Sequence, residues 1–211
     1  MSSNVDPLVV GRVIGEVVDL FVPMTEMEVN FGAKHVNNGC DIKPSMAADP
    51  PSIHIGGRPS HLFTLVMTDP DAPSPSEPSL RECLHWLVVN IPGGTDPTQA
   101  DTKIVVLHRY GSVWIGVGRR KEEKKWKEVS GSEEVMPYMR PKPPLGIHRY
   151  VLVLFQQKVR VPIASIELSP ETVETRAHFN TRDFADRHDL GMPVAAVYFN
   201  SQKEPMNRRR H

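Results

Sequence analysis

The sequence predicts a mainly β fold, and two observations carry this prediction. Proline accounts for 20 of the 211 residues, about twice the share typical of proteins. The prolines separate short apolar runs rich in β-branched residues, and such runs are typical of strands bounded by turns rather than of a helical bundle. A chain of this length can form one domain with a sizeable core.

The N-terminal part predicts one short helix followed by short strands. Asp6 is suited to be the helix N-cap, with Pro7 in the first turn, and the glycines and β-branched residues that follow predict an early end and an extended stretch to about Leu20. Met27–Phe31 alternates like an edge strand, and Ile53–Ile55 precedes a Gly-Gly turn as another short strand.

Two longer strands flank a stiff, proline-rich loop. The first, Leu62–Met67, is an apolar run that stops where the prolines begin. The second, Leu84–Ile91, alternates with a period of two, which places His85 on the same face as Leu87, Val89 and Ile91. A titratable ring is therefore expected on an apolar face.

The strand predicted at Gly146–Phe155 repeats this pattern. Its alternation places His148 and Tyr150 on one face with Leu152 and Leu154. Taken alone, a histidine among apolar residues is typical of a core, and an aspartate before a proline is typical of a turn. Two strands that each carry a polar ring on an apolar face, both after proline-rich turns, favour a binding site instead.

The C-terminal part predicts a helix, a strand and a tail. Asn180 or Thr181 caps a short helix that stops by Gly191, and Pro193–Asn200 forms the last strand. Residues 203–211 form a short basic tail, which is only weak evidence of nuclear import.

Composition limits the function classes. There are 25 basic and 25 acidic residues, so the overall charge does not call for nucleic acid or an anionic membrane as a partner. Two cysteines, Cys40 and Cys83, are too few for a disulfide framework. The N-terminus lacks the segments of a secretory signal, and no run approaches the ~18 apolar residues of a membrane span. We therefore expect a cytoplasmic and nuclear location.

Several motifs together resemble a known family. Two segments resemble the two signature regions of the phosphatidylethanolamine-binding proteins. The first is Asp69-Pro70-Asp71-Ala72-Pro73, followed by the His85-Trp86 strand, and the second is Gly146-Ile147-His148-Arg149-Tyr150. The plant branch that includes Flowering Locus T and Terminal Flower is indicated by Asn180-Thr181-Arg182 and Leu190-Gly191-Met192-Pro193, and the Mother of FT and TFL group by Ser74-Pro75-Ser76-Glu77-Pro78 and Gln202-Lys203-Glu204-Pro205. The resemblance covers most of residues 5–100 and 131–210. It implies an antiparallel β-sandwich with a few short peripheral helices.

The resemblance also implies a pocket for a phospholipid headgroup or another small anion, too small for whole acyl chains. Its ligand-binding residues are Asp69, Asp71, His85, His148 and Tyr150, and its rim residues are Pro73, Cys83 and Gly146. Imidazole and phenol groups can donate to phosphate oxygens, and an aspartate can orient a histidine or accept from an ammonium group. Cys83 stands where relatives carry a tyrosine, histidine or tryptophan, and in those relatives this position separates promoters from repressors of flowering. Because cysteine is none of these residues, the sequence does not indicate whether this protein promotes or represses flowering.

Two other chemistries compete with this interpretation. Two histidines and two aspartates are possible zinc ligands, but their spacing is not that of a helical HxxxH or a CxxC motif. Ser74 and Ser76 lie near His85 in sequence without a nucleophile elbow. We therefore expect that the protein binds no metal ion and no cofactor, and that it is not an enzyme.

The connection at about 101–130 departs from the shorter relatives within an otherwise single domain. It carries two β-prone runs around Gly111-Ser112 that could close a hairpin. The sequence does not distinguish between two structures for this connection, an ordered flap and a poorly ordered excursion. The charged run 119–128 is most typical of a solvated face.

Three function classes remain open from the sequence. The plant relatives imply a signalling regulator and transcriptional cofactor in flowering or seed germination, joined to bZIP factors, with 14-3-3 adaptors as a bridge, and without direct DNA contact. Of the adaptor-contacting positions, Pro92 and Arg160 match, while Ser60 stands where an arginine is expected. The alternatives are a carrier of phospholipid or small anions, and a protease or kinase inhibitor.

Overall fold

The prediction of a mainly β fold with a few short helices is confirmed by a computed structural model. It describes residues 5–94, 103–109, 112–118, 132–168 and 174–205. The strands are β1 Met27–Phe31, β2 Lys34–His35, β3 Cys40–Asp41, β4 Ser52–Ile55, β5 Leu62–Asp69, β6 Cys83–Pro92, β7 Lys103–Arg109, β8 Ser112–Gly118, β9 Glu133–Met136, β10 Ile147–Gln157 and β11 Pro193–Gln202. The α-helices are α1 Pro7–Val10, α2 Val13–Glu16 and α3 Thr181–Arg187, and Ile163–Ser165 and Glu174–Arg176 form 3-10 helices. None of the helices in these ranges is long and apolar enough to cross a membrane. The charged run 119–128 and the tail beyond residue 205 lie outside the described residues.

Two stacked sheets form the sandwich. The larger sheet has the strand order β3-β11-β10-β5-β6-β9, and the smaller has the order β2-β1-β4. Neighbouring strands pair antiparallel, apart from the parallel pair of β3 and β11. Phe31 and Ile55 of the smaller sheet pack with Phe63, Trp86 and Leu154 of the larger one in an inner core. The hydrophobic effect of this buried area holds the two sheets together.

A second core covers the other face of the larger sheet. Here Leu8 of α1 and Phe184 of α3 pack with sheet residues that include Val66, Val151 and Phe155. Strands buried on both faces have nearly continuous apolar sequences, which explains the apolar runs of β5 and β10.

The N-terminal helix is short, as predicted. Asp6 caps α1 by accepting a hydrogen bond from the backbone N–H of Leu8 at 2.8 Å, and α1 ends at Val10 with Gly11 as its C-cap. The prediction that Met27–Phe31 is an edge strand is wrong, because β1 lies between β2 and β4. The two-residue strand β2 is too short to give a sequence pattern of its own.

The connection between β6 and β9 contains the hairpin that the sequence left open. Strands β7 and β8 pair antiparallel from Lys103↔Gly118 to Arg109↔Ser112. The backbone of β7 runs beside β4 at the edge of the smaller sheet, and β8 comes near β9. Of this hairpin the structure describes the backbone alone.

Candidate functional site

The first residues of β10 place a charged histidine in the sheet. His148 is fully buried, with Nδ1 2.7 Å from Oδ2 of Asp69 and Nε2 3.0 Å from the carbonyl oxygen of Leu145. Both partners are acceptors, so both ring nitrogens must donate and the ring is an imidazolium. Burial lowers the pKa of His148, but the hydrogen bond and charge of Asp69 outweigh burial, and the pKa is raised.

Asp69, at the end of β5, connects three groups. Besides His148, its carboxylate accepts from the backbone N–H of Asp71 at 2.8 Å and from the hydroxyl of Tyr150. The carboxylate is buried and accepts all three hydrogen bonds, so it holds these three groups in fixed relative positions.

Tyr150 is the centre of the aromatic contacts at this end of the sheet. Its ring stacks on Phe199 at 5.3 Å and meets His85 edge-on at 5.0 Å. Its hydroxyl accepts from the backbone N–H of Lys142, and burial followed by the charge of Asp69 raises the pKa of Tyr150 well above its usual value. The hydroxyl is therefore a hydrogen-bond donor at any physiological pH.

His85 reaches the same cluster because β6 bulges there. The residues on either side of His85 pair with consecutive residues of β5, so His85 is an extra residue in the ladder. Its ring contacts Tyr150 on the inner face, whereas Leu87 and Val89 belong to the outer core. The prediction that His85 shares a face with these two residues is therefore wrong, whereas Ile91, the third residue of the predicted face, does belong to the inner core.

The ring of His85 is neutral in this arrangement. Nδ1 lies 2.7 Å from the carbonyl oxygen of Met139 and must donate to it, since a carbonyl only accepts. Burial lowers the pKa of His85, against the raising effects of the Met139 bond and Asp69. Nε2 is then the unprotonated nitrogen, and a second proton converts it into a donor.

Four of the five expected side chains come together, namely Asp69, His85, His148 and Tyr150, which we call the His–Asp–Tyr cluster. Asp71 is the exception and corrects the expected convergence of all five. Its carboxylate is bound by the Arg149 side chain, from Nε at 2.8 Å and Nη2 at 2.6 Å, and by the Arg149 backbone N–H at 2.8 Å. Because Arg149 follows His148 in β10, its side chain points to the opposite face of the sheet.

The expected rim residues lie around this cluster. Gly146 has φ +83°, and a Cβ there would lie 2.9 Å from Cδ of Pro75, so only glycine fits against that loop. Cys83 is buried opposite Asp69 in the ladder, and burial together with the charge of Asp69 raises the pKa of its thiol to about 11. Pro73 is half-buried.

Sequence reasoning missed Arg176, which supports the cluster. This buried residue donates from Nη1 to the carbonyl oxygens of Leu84 and His85, both at 3.2 Å, and from Nη2 to that of Pro137 at 2.9 Å. It therefore ties the bulge of β6 to the loop that leads to Met139. A single arginine in an irregular segment gives no sequence signal for this role.

The expected partner-binding residues lie elsewhere. Pro92 ends β6 opposite Leu62, and Leu62 pairs with Gln157 at the end of β10. Arg160 follows shortly after and forms an ion pair with Glu133. This region is at the other end of the strands from the His–Asp–Tyr cluster.

The structure also describes the residues of the two competing chemistries. Within the ranges that the structure describes, no three His, Cys, Asp or Glu side chains are grouped so as to hold a metal ion. The hydroxyls of Ser74 and Ser76 lie 2.9 Å apart and bond to each other.

Comparisons with known proteins agree with this fold. Residues 21–199 match the family model described as phosphatidylethanolamine-binding protein. The chain is 50% identical over 210 residues to Protein MOTHER of FT and TFL1 homolog 2 of Oryza sativa subsp. japonica, with all of both chains covered. It is 42% identical to Protein TERMINAL FLOWER 1 of Arabidopsis thaliana, covering 98% of this chain and 96% of that protein. Among solved structures, the carboxypeptidase Y inhibitor complexed with its cognate proteinase has a TM-score of 0.66 at 22% identity, covering 97% of this chain and 100% of that one. A phosphatidylethanolamine-binding protein from Plasmodium vivax has a TM-score of 0.64 at 18% identity, covering 94% and 96%. These two likenesses concern the fold. The chain belongs to the phosphatidylethanolamine-binding protein family.

Proposed function

We propose that this protein is a non-enzymatic signalling regulator of flowering or seed germination, and that its His–Asp–Tyr cluster binds a small anion or a phospholipid headgroup. The observation that supports the regulatory role is full-length similarity, at 50% identity, to a MOTHER of FT and TFL1 homologue, with TERMINAL FLOWER 1 as a further relative. The proposal for the cluster is supported by its charges and hydrogen bonds.

The charge of the cluster favours an anion once His85 is protonated. The imidazolium of His148 and the carboxylate of Asp69 balance each other, and His85 is neutral. Protonation of His85 adds one positive charge and turns Nε2 into a donor, while Nδ1 stays bonded to Met139. An anion that accepts from Nε2 then gains a charge-assisted hydrogen bond in a poorly solvated place.

The loop over the cluster supplies a second donor and the entrance. The four cluster residues are at most 4% exposed. Met139, Lys142 and Leu145, in the loop between Pro137 and Gly146, bond to His85, Tyr150 and His148, so we propose that a ligand enters when this loop moves. The N–H of Lys142 in that loop bonds to the Tyr150 hydroxyl. An anion oxygen can take the place of the hydroxyl as the acceptor of this N–H, while Tyr150 keeps its own donation to Asp69.

Titration with sulfate tests the binding proposal, since sulfate keeps its charge between about pH 6 and about pH 8. The pKa of His85 is lowered in the free protein and binding requires its proton. Affinity should therefore rise as pH falls, by about tenfold for each pH unit above that pKa. His85→Gln should abolish this dependence, and His61→Gln, a half-buried histidine outside the cluster, should not.

Sulfate binding that is unaffected by pH, or unchanged in His85→Gln, would contradict anion binding at this cluster. Titration with O-phosphoethanolamine then tells a headgroup from a free anion, because a headgroup site should prefer the zwitterion.

The regulatory part of the proposal requires a protein partner. We propose bZIP transcription factors as partners, bridged by 14-3-3 adaptors, in the cytoplasm and nucleus. The formal net charge of zero favours recruitment to DNA through the partner rather than direct DNA binding. Pro92 and Arg160 are the proposed contact residues.

Co-precipitation with a purified bZIP factor, with and without 14-3-3, tests this partnership. Arg160→Ala should weaken capture and His85→Gln should not, because the two residues lie at opposite ends of the sheet. Equal capture by the wild type and Arg160→Ala would remove Arg160 from the contact surface, and no capture under either condition would contradict the partnership.

A further inference from the structure

A groove of about 540 Å³ lies on the opposite side of β10 from the His–Asp–Tyr cluster. Its charged lining residues are Arg12, Glu16, Asp71, Arg81 and Arg149, and none of the four cluster residues contributes to it. It is therefore separate from the proposed anion pocket, although Asp71 and Arg149 follow Asp69 and His148 closely in sequence.

Three guanidinium groups converge on one carboxylate in this groove. Glu16 is 2.6 Å from Nη2 of Arg12, 2.7 Å from Nη2 of Arg149 and 3.5 Å from Nη2 of Arg81. Asp71 provides a second carboxylate, 2.6 Å from Arg149 and 3.8 Å from Arg81. The arginines of the groove are therefore already positioned to bind carboxylates.

Two of the three arginines of the groove reach solvent more than its carboxylates, whereas Arg149 is as buried as Glu16. The side chains of Arg12 and Arg81 are 76% and 36% exposed, whereas those of Glu16 and Asp71 are 14% and 5% exposed. A guanidinium has five N–H donors, so the ion pairs to Glu16 do not exhaust Arg12 and Arg81. A molecule that enters the groove meets mainly cationic groups.

The groove also has apolar walls. Val10 and Ile147 are large apolar residues that are more than half exposed, at 68% and 54%, and both line it together with Pro75 and Pro78. Apolar side chains beside exposed arginines are suited to a short segment that carries both acidic and apolar residues.

We propose that this groove binds an acidic peptide segment of a protein partner. Carboxylates of the segment pair with Arg12 and Arg81, and an adjacent apolar side chain packs against Val10 and Ile147. A narrow groove with both kinds of wall suits a peptide better than a lipid surface, which would need a broad contact face. The inference does not depend on anion binding at the His–Asp–Tyr cluster.

Selection from a random peptide library displayed on phage tests the proposal on the full chain. The enriched peptides should contain Asp or Glu next to Leu, Ile or Phe. Their affinity should fall about tenfold or more in the double variant Arg12→Gln/Arg81→Gln, because two exposed charge partners are lost. Arg149 is left intact because its side chain is bound to Asp71, Glu16 and the Gly11 carbonyl.

Two matched variants act as controls. Lys158→Gln removes an exposed positive charge that pairs with Asp189 outside the groove, and His85→Gln changes the other site. Both should bind the selected peptides like the wild type, and thermal unfolding verifies that the double variant is folded.

Absence of enriched peptides, enriched peptides without acidic residues, or equal binding by the double variant would each overturn the proposal. Phosphatidylglycerol vesicles provide a further arm. Vesicle binding that is lost in the double variant while peptide binding is unchanged would assign the arginines to a lipid surface and also overturn it.

Discussion

Replacement of Arg176 by lysine tests how the His–Asp–Tyr cluster is held. Arg176 donates to three carbonyl oxygens, of Leu84, His85 and Pro137. Lysine keeps the charge but has one nitrogen in place of the planar fork, and we expect it to keep one of the three hydrogen bonds. With about 1 kcal/mol for each bond lost, the free energy of unfolding should fall by about 2 kcal/mol. Urea unfolding measures this loss.

The same change should weaken anion binding. Arg176 links the bulge at His85 to the loop that leads to Met139, whose carbonyl sets the orientation of the His85 ring. If that orientation is lost, sulfate affinity should fall about tenfold, the equivalent of one well-formed hydrogen bond. The nitrogen-15 signal of His85 Nδ1 should shift as its bond to Met139 weakens.

Arg182→Lys is the matched control. Arg182 also donates to backbone carbonyls, those of Gly15, Glu16 and Val18, but at the N-terminal segment. The control should lose stability and keep its sulfate affinity. If Arg176→Lys binds sulfate as tightly as the wild type, or if both variants lose affinity equally, Arg176 does not position His85.

Two further predictions concern the pair of Asp69 and His148 and the glycine at position 146. Asp69 raises the pKa of His148, so the pair of Asp69 with charged His148 stabilises the folded protein. This contribution to the free energy of unfolding is complete below the pKa of about 6.5 that the histidine has in the unfolded chain, and it is lost as pH rises through the folded pKa. In Asp69→Asn the free energy of unfolding, measured with urea, should no longer decrease as pH rises through this range. An unchanged pH dependence would contradict the assignment of His148 as an imidazolium. Gly146→Ala should lower the free energy of unfolding by about 2 kcal/mol, because it adds a contact with Pro75 to the cost of the positive φ. Gly191→Ala, with φ +71° and no atom within 4 Å of the added Cβ, should cost only about 1 kcal/mol, and equal losses would show that the Pro75 contact is unimportant.

Four strands of the larger sheet, β5, β6, β10 and β11, could be predicted because burial gives them long apolar sequences, whereas the short strands β3 and β9 carry no such sequence. In the pairing of β5 with β10, Leu62 lies opposite Gln157 at one end, and Asp69 bonds to His148 at the other. From Tyr150 to Phe155, successive side chains of β10 alternate between the inner and the outer core without a break. The positions of His148 and Tyr150 on one face therefore followed from the sequence.

The position of His85 could not be derived in the same way. A bulge changes which side chains share a face, and it depends on the pairing of β6 with β5 rather than on residues near His85 in sequence. The family resemblance, and not the alternation, brought His85 to the expected site.

The separation of Asp71 from the cluster was also beyond sequence reasoning. Its orientation is set by Arg149, 78 residues further along the chain, and by the location of Glu16 beside the same guanidinium. Contacts between such distant segments leave no local pattern, and the same is true of the carbonyls bound by Arg176.

Nitrogen-15 NMR of the imidazole rings, with and without saturating sulfate near pH 7, tests anion binding most directly. In the free protein His85 should be neutral with its proton on Nδ1, and His148 should be doubly protonated. Sulfate should raise the pKa of His85, so that Nε2 gains a proton, and leave His148 charged. A His85 ring that stays neutral under saturating sulfate, or a neutral His148 in the free protein, would contradict anion binding at this cluster.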